Sequence, residues 1–306
     1  MLQSLRAFFA DRQVTEVESP VLSSAGITEP NLQSFATEFQ HRKLFLNTSP
    51  EFFMKRLLAA GSGDIYQICK AFRNDEQGAR HNPEFSLLEW YRTGFDHHHL
   101  MAEIEQLIQY LVTELDIKMP SCAATYLTYQ QAFINSLAID PLIASVSEIK
   151  SAVEKNNCEI PIGMDENNKD PWLDWLMTQI VAPSFNQRGF TFVFDYPASQ
   201  AALAKLSKQD IRVAHRFELF YGELELANGF YELTDAKEQR QRFENENILR
   251  EQQGIDAMPV DELFLQALEN GLPECAGVAI GLDRLLMVLL GEKNISDVLS
   301  FGFNKV

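Results

Sequence analysis

A chain of 306 residues, 46% hydrophobic and 23% charged, is long enough to bury a large core and reads as an ordinary globular protein. It contains no apolar run near the roughly 20 residues of a bilayer span and no basic-then-apolar leader, which argues against a membrane or exported protein. Its 26 basic and 43 acidic residues give a net charge of −17, which argues against a large nucleic-acid face, where neutralising phosphates supplies much of the affinity.

In chain order, Leu2, Leu5, Phe8 and Phe9 fall at helical spacing, so residues 2–11 are expected to form an amphipathic helix. Val14 to Val17 alternates like a strand, and Pro20 closes it. Leu44 to Leu46 reads as a short strand running into Thr48-Ser49-Pro50-Glu51, a helix start with a capping side chain, an early proline and an acid near the positive end of the dipole. That helix continues to Ala60 and stops at Gly61 and Gly63. Ile65 to Phe72 and Phe85 to Arg92 read as strands joined by a twelve-residue polar loop, Arg73 to Glu84, which suggests an antiparallel hairpin with a functional tip. On the second strand, alternation groups Phe85, Leu87, Glu89 and Tyr91 on one face.

Residues 97–190 read as mostly helical, with a surface excursion from Asn156 to Asp174. Strands return at Thr191–Phe194 and Arg216–Leu226, and Asn228-Gly229 signals a turn before Phe230 to Leu233. Lys237 to Gln252 is a charged helix, Gly277 to Gly281 a short strand, and Leu282 to Leu290 an apolar helix ended by Gly291. Hairpins separated by helices, without a βαβ rhythm, argue for an α+β fold with an antiparallel sheet. Cys69, Cys122, Cys158 and Cys275 are scattered and lack metal-ligand spacing, so reduced thiols and a cytoplasmic location are expected.

Three constellations could carry chemistry. In the first, Arg73 leaves one hairpin strand and Glu89 and Tyr91 return on the other. An arginine there can fork onto a phosphate, and an acid beside a tyrosine can hold an ammonium group. A solvated tip with a structural ion pair is the alternative. The second is Glu223, Glu225 and Glu232 around Asn228-Gly229, where a turn would bring Glu225 and Glu232 together as oxygen ligands for magnesium; an exposed acidic hairpin is the alternative. The third runs from Gly277 to Arg284, where two glycines allow close backbone approach and an arginine in the first turn of a helix invites an anion, unless Asp283 simply pairs with it. His97-His98-His99 makes a poor metal site, because adjacent side chains diverge. P-loop and GxGxxG patterns are absent.

Together these regions resemble motifs 1, 2 and 3 of class II aminoacyl-tRNA synthetases. The opening helix with Val17-Glu18-Ser19-Pro20 is similar to motif 1, Phe72-Arg73-Asn74-Asp75 through Glu89 and Tyr91 to motif 2, and Gly281-Leu282-Asp283-Arg284 to motif 3. Thr48 to Glu51, Arg80 to Phe85 and Glu225 to Phe230 are similar to the lysyl subgroup. Because motif 1 starts almost at the first residue, residues 1–306 are expected to be one catalytic domain with an insertion at about 97–190 and without an anticodon-binding domain. The chain therefore resembles the stand-alone ligase family that attaches (R)-β-lysine to elongation factor P, and Pro197 to Gln200 and Glu232 to Ala236 extend the match.

That resemblance implies ATP contacts at Arg73, Asn74, Asp75, Asn82, Glu225, Leu226, Gly281 and Arg284, with Arg73 and Arg284 as the catalytic arginines. It implies Mg²⁺ at Glu225 and Glu232, and an amino-acid site at Ser49, Pro50, Glu51, Tyr91 and Glu232. Asp75 stands where motif 2 usually carries a glutamate, one methylene longer, so the adenine contact is expected either to move to Glu76 or to lengthen. Ala279 replaces a usual glycine, and its methyl would disfavour α-lysine by roughly 1–3 kcal/mol. The implied reaction forms an adenylate and transfers the aminoacyl group to a lysine of elongation factor P, in a homodimer, without tRNA or membrane. Charging of tRNA and a non-catalytic regulatory role remain the alternatives.

Overall fold

The opening ten residues, Leu2–Asp11, form helix α1 because one stripe carries all its bulk: Leu5, Phe8 and Phe9 are fully buried. The structure, a computed structural model, describes residues 1–74, 76–119, 121–156 and 163–306; Asp75 and Cys158 lie outside the described residues. After α1 come strands β1 (Thr15–Glu16), β2 (Leu22–Ser23), β3 (Ala36–Phe39) and β4 (Arg42–Leu46), then helix α2 (Glu51–Ala59). The hairpin strands are β5 (Ile65–Phe72) and β6 (Glu84–Thr93), and helix α3 (His97–Glu114) follows. Next stand β7 (Ala124–Thr128), α4 (Tyr129–Leu137), α5 (Val146–Lys155), α6 (Asp170–Leu176), β8 (Phe190–Pro197), β9 (Val213–Tyr221) and β10 (Leu224–Tyr231). Helices α7 (Ala236–Gln252) and α8 (Glu262–Gly271), strand β11 (Cys275–Gly281) and helix α9 (Leu282–Leu290) complete the order.

The chain divides into two compact units. Residues Met1–Lys118 and Tyr231–Val306 form the first, and Met119–Phe230 the second. The helical stretch expected over 97–190 does not match one unit: α3 belongs to the first, while the second also holds β7 to β10.

In the first unit, β1, β5, β6 and β11 lie side by side, β1 parallel to β5 and the rest antiparallel. A small second sheet has the order β2-β4-β3. Phe9 stacks on Tyr66 of β5 at 4.4 Å between ring centroids and meets Trp90 of β6 edge-on at 5.4 Å, so α1 is fastened to the hairpin by aromatic contact. Arg250 of α7 is nearly sealed from solvent and donates to four acceptors: the Asp256 (2.9 Å), Glu29 (3.1 Å) and Leu32 (3.4 Å) carbonyls and Gln33 Oε1 (3.0 Å). Gln33 in turn accepts from the Asn74 backbone N–H at 2.8 Å, at the root of the hairpin loop.

In the second unit, β10, β9, β8 and β7 are neighbours in that order, with β7 parallel to β8 and the other pairs antiparallel. Tyr129, Phe133, Trp172, Leu176 and Tyr196 lie in its core. The turn expected at Asn228-Gly229 is overturned. β10 runs straight through both residues, which pair with Glu218 and Phe217 of β9, and the chain reverses instead at Gly222, where φ is +53°. Strand pairing of six β10 residues with β9 overrides the local Asn-Gly preference, and glycine at 222 accepts the left-handed backbone that a tight reversal needs.

Candidate active site

The N-terminus of α2 builds one side of a buried polar pocket. Ser49 Oγ accepts from the Glu51 backbone N–H at 3.0 Å and donates to Glu89 of β6 at 2.6 Å, so one hydroxyl serves the helix start and the neighbouring strand. The Tyr91 hydroxyl, two residues along the same face, donates to the other Glu89 oxygen at 2.8 Å. Lys55, one turn into α2, places its ammonium 2.6 Å from Glu51 and 2.6 Å from Glu232, which directly follows β10. The Lys55 and Glu232 side chains are 1% and 0% exposed, and Glu89 is 2% exposed. Three carboxylates and one ammonium are thus gathered behind the sheet.

This charge is poorly satisfied. Although Lys55 Nζ lies 2.6 Å from Glu232 Oε2, neither Glu232 oxygen has a well-directed hydrogen bond. Burial, reinforced by the Glu51 charge, pushes the Glu89 carboxyl up to about 8. Burial likewise pushes Glu232 to about 8 against the pull of Lys55. Burial also works against the Lys55 charge, but Glu232 and Glu51 outweigh it and hold that pKa above the ordinary lysine value. A cation entering this pocket would meet carboxylates that lack full compensation.

Gly277 of β11 makes the arrangement possible. It lies opposite Tyr91, and a Cβ there would stand 2.2 Å from the Tyr91 ring and 2.6 Å from Glu232 Oε1. Any side chain would displace the ring or the carboxylate. Ala279, two residues on, pairs with Glu89, so its methyl belongs to the same strand face as Gly277. A cavity of about 40 Å³ opens beside Ser49 and Glu51, lined also by Asn47, Gly26 and Ser34.

The two catalytic arginines expected from the sequence meet one loop at one end of the first unit. Arg73 follows β5, and its backbone N–H donates to the Pro83 carbonyl at 3.0 Å. Its guanidinium stands 5.1 Å over the Phe85 ring and 3.5 Å from Glu76, while its buried Nε has no partner. Arg284, in the first turn of α9, donates from Nε to the Arg80 carbonyl in that loop at 3.2 Å. The Asp283 carboxylate accepts from the Ser86 backbone N–H at 2.7 Å. Asn82 donates to the Glu84 carbonyl at 2.5 Å and accepts from the Phe303 N–H at 3.1 Å. Gly281 pairs with Leu87 at the same end of β6. This rim, with its unused buried donor at Arg73, suits an anion such as a phosphate.

Sequence reading missed two residues. Lys55 resembles an ordinary surface lysine of an amphipathic helix; its signal is Glu51 one turn earlier, with Phe52, Met54 and Leu58 around it. Glu218 of β9 is the other. Tyr196 donates to it at 2.6 Å and Arg216 at 2.6 Å. Burial, with the nearby Glu225 charge, pushes it up to about 7. Asn228, its cross-strand partner, keeps a buried side-chain oxygen without a hydrogen bond. Glu218, Glu225 and Asn228 therefore offer oxygen donors of the kind a divalent cation takes. The expected pairing of Glu225 with Glu232 as metal ligands does not form through a hairpin, because β10 does not turn between them and Glu232 faces Lys55. Among the described residues no helix is long and apolar enough to cross a membrane, and Cys69, Cys122 and Cys275 form no disulfide.

Comparison with known proteins extends this picture. Residues 1–305 match the family model described as tRNA synthetases class II (D, K and N). The chain is 49% identical over 309 residues to the elongation factor P–(R)-β-lysine ligase of Vibrio parahaemolyticus, covering 99% of this chain and 93% of that one. It is 49% identical over 307 residues to the protein of that name from Proteus mirabilis, covering 98% and 92% of the two chains. The corresponding Pseudoalteromonas translucida protein is 48% identical over 312 residues, covering 100% and 94%.

Proposed function

We propose that this chain, which belongs to the class II tRNA synthetase family, is an ATP-dependent ligase that activates (R)-β-lysine and transfers it to a lysine side chain of elongation factor P. The observation that carries the reading is the buried pocket of Glu51, Glu89 and Glu232, undercompensated by Lys55, beside an arginine-lined rim. A substrate with two ammonium groups and a carboxylate matches both parts.

The substrate carboxylate, already ionised at neutral pH, attacks the α-phosphorus of ATP. A carboxyl-oxygen-to-phosphorus bond forms and the bond to pyrophosphate breaks, so no general base is needed. Alignment alone can contribute up to about 7–11 kcal/mol. The buried carboxylates and Tyr91 fix the ammonium groups, and Arg73, with its unsatisfied donor, stabilises charge on the phosphate. Arg284 serves the outer phosphates; Asn74, Asn82 and Gly281 are further nucleotide contacts. Glu225 and Leu226 of the second unit keep that role on the family resemblance, and Asp75 lies outside the described residues. In the second step a neutral lysine amine of the partner protein attacks the acyl carbon, an amide bond forms as the acyl–oxygen bond to AMP breaks, and the amine's surplus proton passes to the departing phosphate or to solvent.

Within the second unit, Glu218 and Glu225, with Asn228 Oδ1 as a third oxygen, would hold Mg²⁺, and the ion would supply charge neutralisation. We place the enzyme in the cytoplasm as a homodimer, supported by the exposed apolar side chains Leu2, Leu22 and Phe39 on α1 and the small sheet. Sedimentation as 34.8-kDa particles alone at micromolar concentration would refute the dimer.

The test of the activity is ATP–pyrophosphate exchange with α-lysine and both β-lysine isomers, followed by tracing labelled amino acid onto elongation factor P or tRNA. Exchange should be strongest with the (R)-β isomer and the label should reach the protein. Label on tRNA alone would overturn the assignment.

A further inference from the structure

We propose that Lys55 is a specificity-determining residue, a resident cation that fixes at two the number of ammonium groups an amino-acid substrate must bring. The inference rests on the reading that this pocket holds the activated amino acid. Its basis is charge and burial. Among the described residues, the charged and titratable side chains at the site are Glu51 and Lys55 on α2, Glu89 and Tyr91 on β6, Cys69 on β5 near Glu89 and Glu232 after β10, and the uncharged ring of Phe264 on α8 stands 5.9 Å from Lys55 Nζ. Three carboxylates face one ammonium, and that ammonium is held by two of them in a site 1% exposed. Lys55 therefore cannot leave to make room, and the pocket is two positive charges short.

A buried carboxylate left without a cation takes up a proton. When empty, the pocket holds protons on Glu89 and Glu232, whose carboxyls are pushed up to about 8. A doubly charged substrate displaces both. A singly charged amino acid leaves one carboxylate that must stay protonated. With Lys55 removed the shortfall becomes three, and a doubly charged substrate can bind well only while one carboxylate keeps its proton.

The experiment compares the unmodified protein with Lys55→Met and Lys55→Arg. Exchange kinetics with (R)-β-lysine are followed between pH 6 and 9, and each variant is expressed as its ratio to the unmodified protein, so that titration of the substrate divides out. For Lys55→Met the ratio of kcat/KM should fall as pH rises, approaching about tenfold per pH unit once the retained proton is lost. Lys55→Arg keeps the charge and should give a flat ratio, whatever its absolute level. A loss that is parallel and pH-independent in both variants would mean Lys55 only holds α2 in place and would overturn the proposal, as would an unaltered Lys55→Met. If Lys55→Met does not fold, calorimetry on the unmodified protein at pH 7, in buffers of different ionisation heat, decides. Binding of the diammonium acid should release between one and two protons, and release of none, or of three, overturns the count. Absence of any exchange in the unmodified protein would instead defeat the functional reading itself.

Discussion

Each unit buries a cluster of carboxylates, and the two clusters solve the problem differently. In the first, Glu51, Glu89 and Glu232 meet a lysine, a point charge that two carboxylates share at 2.6 Å each. In the second, Glu218 is held by a hydroxyl and a guanidinium, with Glu225 nearby and the Asn228 oxygen left without a partner. The first keeps an internal monovalent cation and lacks more of the same kind, which suits ammonium groups. The second gathers carboxylate and amide oxygens, with a guanidinium on one of them, which suits a hard divalent ion. The kind of charge left uncompensated, more than the number of acids, tells the two apart.

The largest effect that would test this contrast comes from Glu232→Gln. Removing one partner of a buried ion pair should reduce kcat/KM for the amino acid by about 10²–10³-fold, with the KM for ATP and the Mg²⁺ requirement unmoved. A shift in Mg²⁺ dependence instead would return Glu232 to the metal and erase the contrast. Tyr196→Phe should act on the other side. Loss of the hydroxyl that orients Glu218 should raise the Mg²⁺ concentration for half-maximal exchange by about 10–100-fold, with the amino-acid KM unchanged. An effect on the amino acid alone would contradict it.

The smallest effect is on stability. The folded-state carboxyls of Glu89 and Glu232 stand at about 8, above their ordinary 4.5. The folded chain thus binds more protons than the unfolded one between those values, and the ligand-free protein should lose stability as pH rises from about 4.5 to 8. Thermal midpoints should fall by a few degrees across that window and flatten with saturating β-lysine. An equal slope with and without substrate would place the protons elsewhere, for instance on Glu246, which burial pushes to about 7.

Much of this frame is legible in the residues. The apolar stripe of α1, the polar hairpin loop and the glycine after α9 each state a local rule that the fold obeys. The buried polar pocket is half legible: Ser49, Glu51, Tyr91 and Glu232 stand out in the sequence and meet there, while Lys55 is overlooked because its local signal, an acid one turn earlier among apolar neighbours, also fits a lysine on the solvated side of an amphipathic helix. Asn228-Gly229 misleads for the converse reason, since its turn preference is a short-range energy overruled by pairing with β9. α8 escapes notice too, and its Phe264 and Leu265 are buried in the fold. Propensity speaks for a residue and its near neighbours, and partners distant in the chain decide the rest.

The four bonds of Arg250 have a kinetic consequence. Because one guanidinium serves Glu29, Leu32, Gln33 and Asp256, those anchors cannot be surrendered singly: one rotation of one side chain releases them all. Backbone amides around residues 29–33, together with Asn74, whose N–H hangs from Gln33, should share a common opening rate in hydrogen exchange and so move as one body.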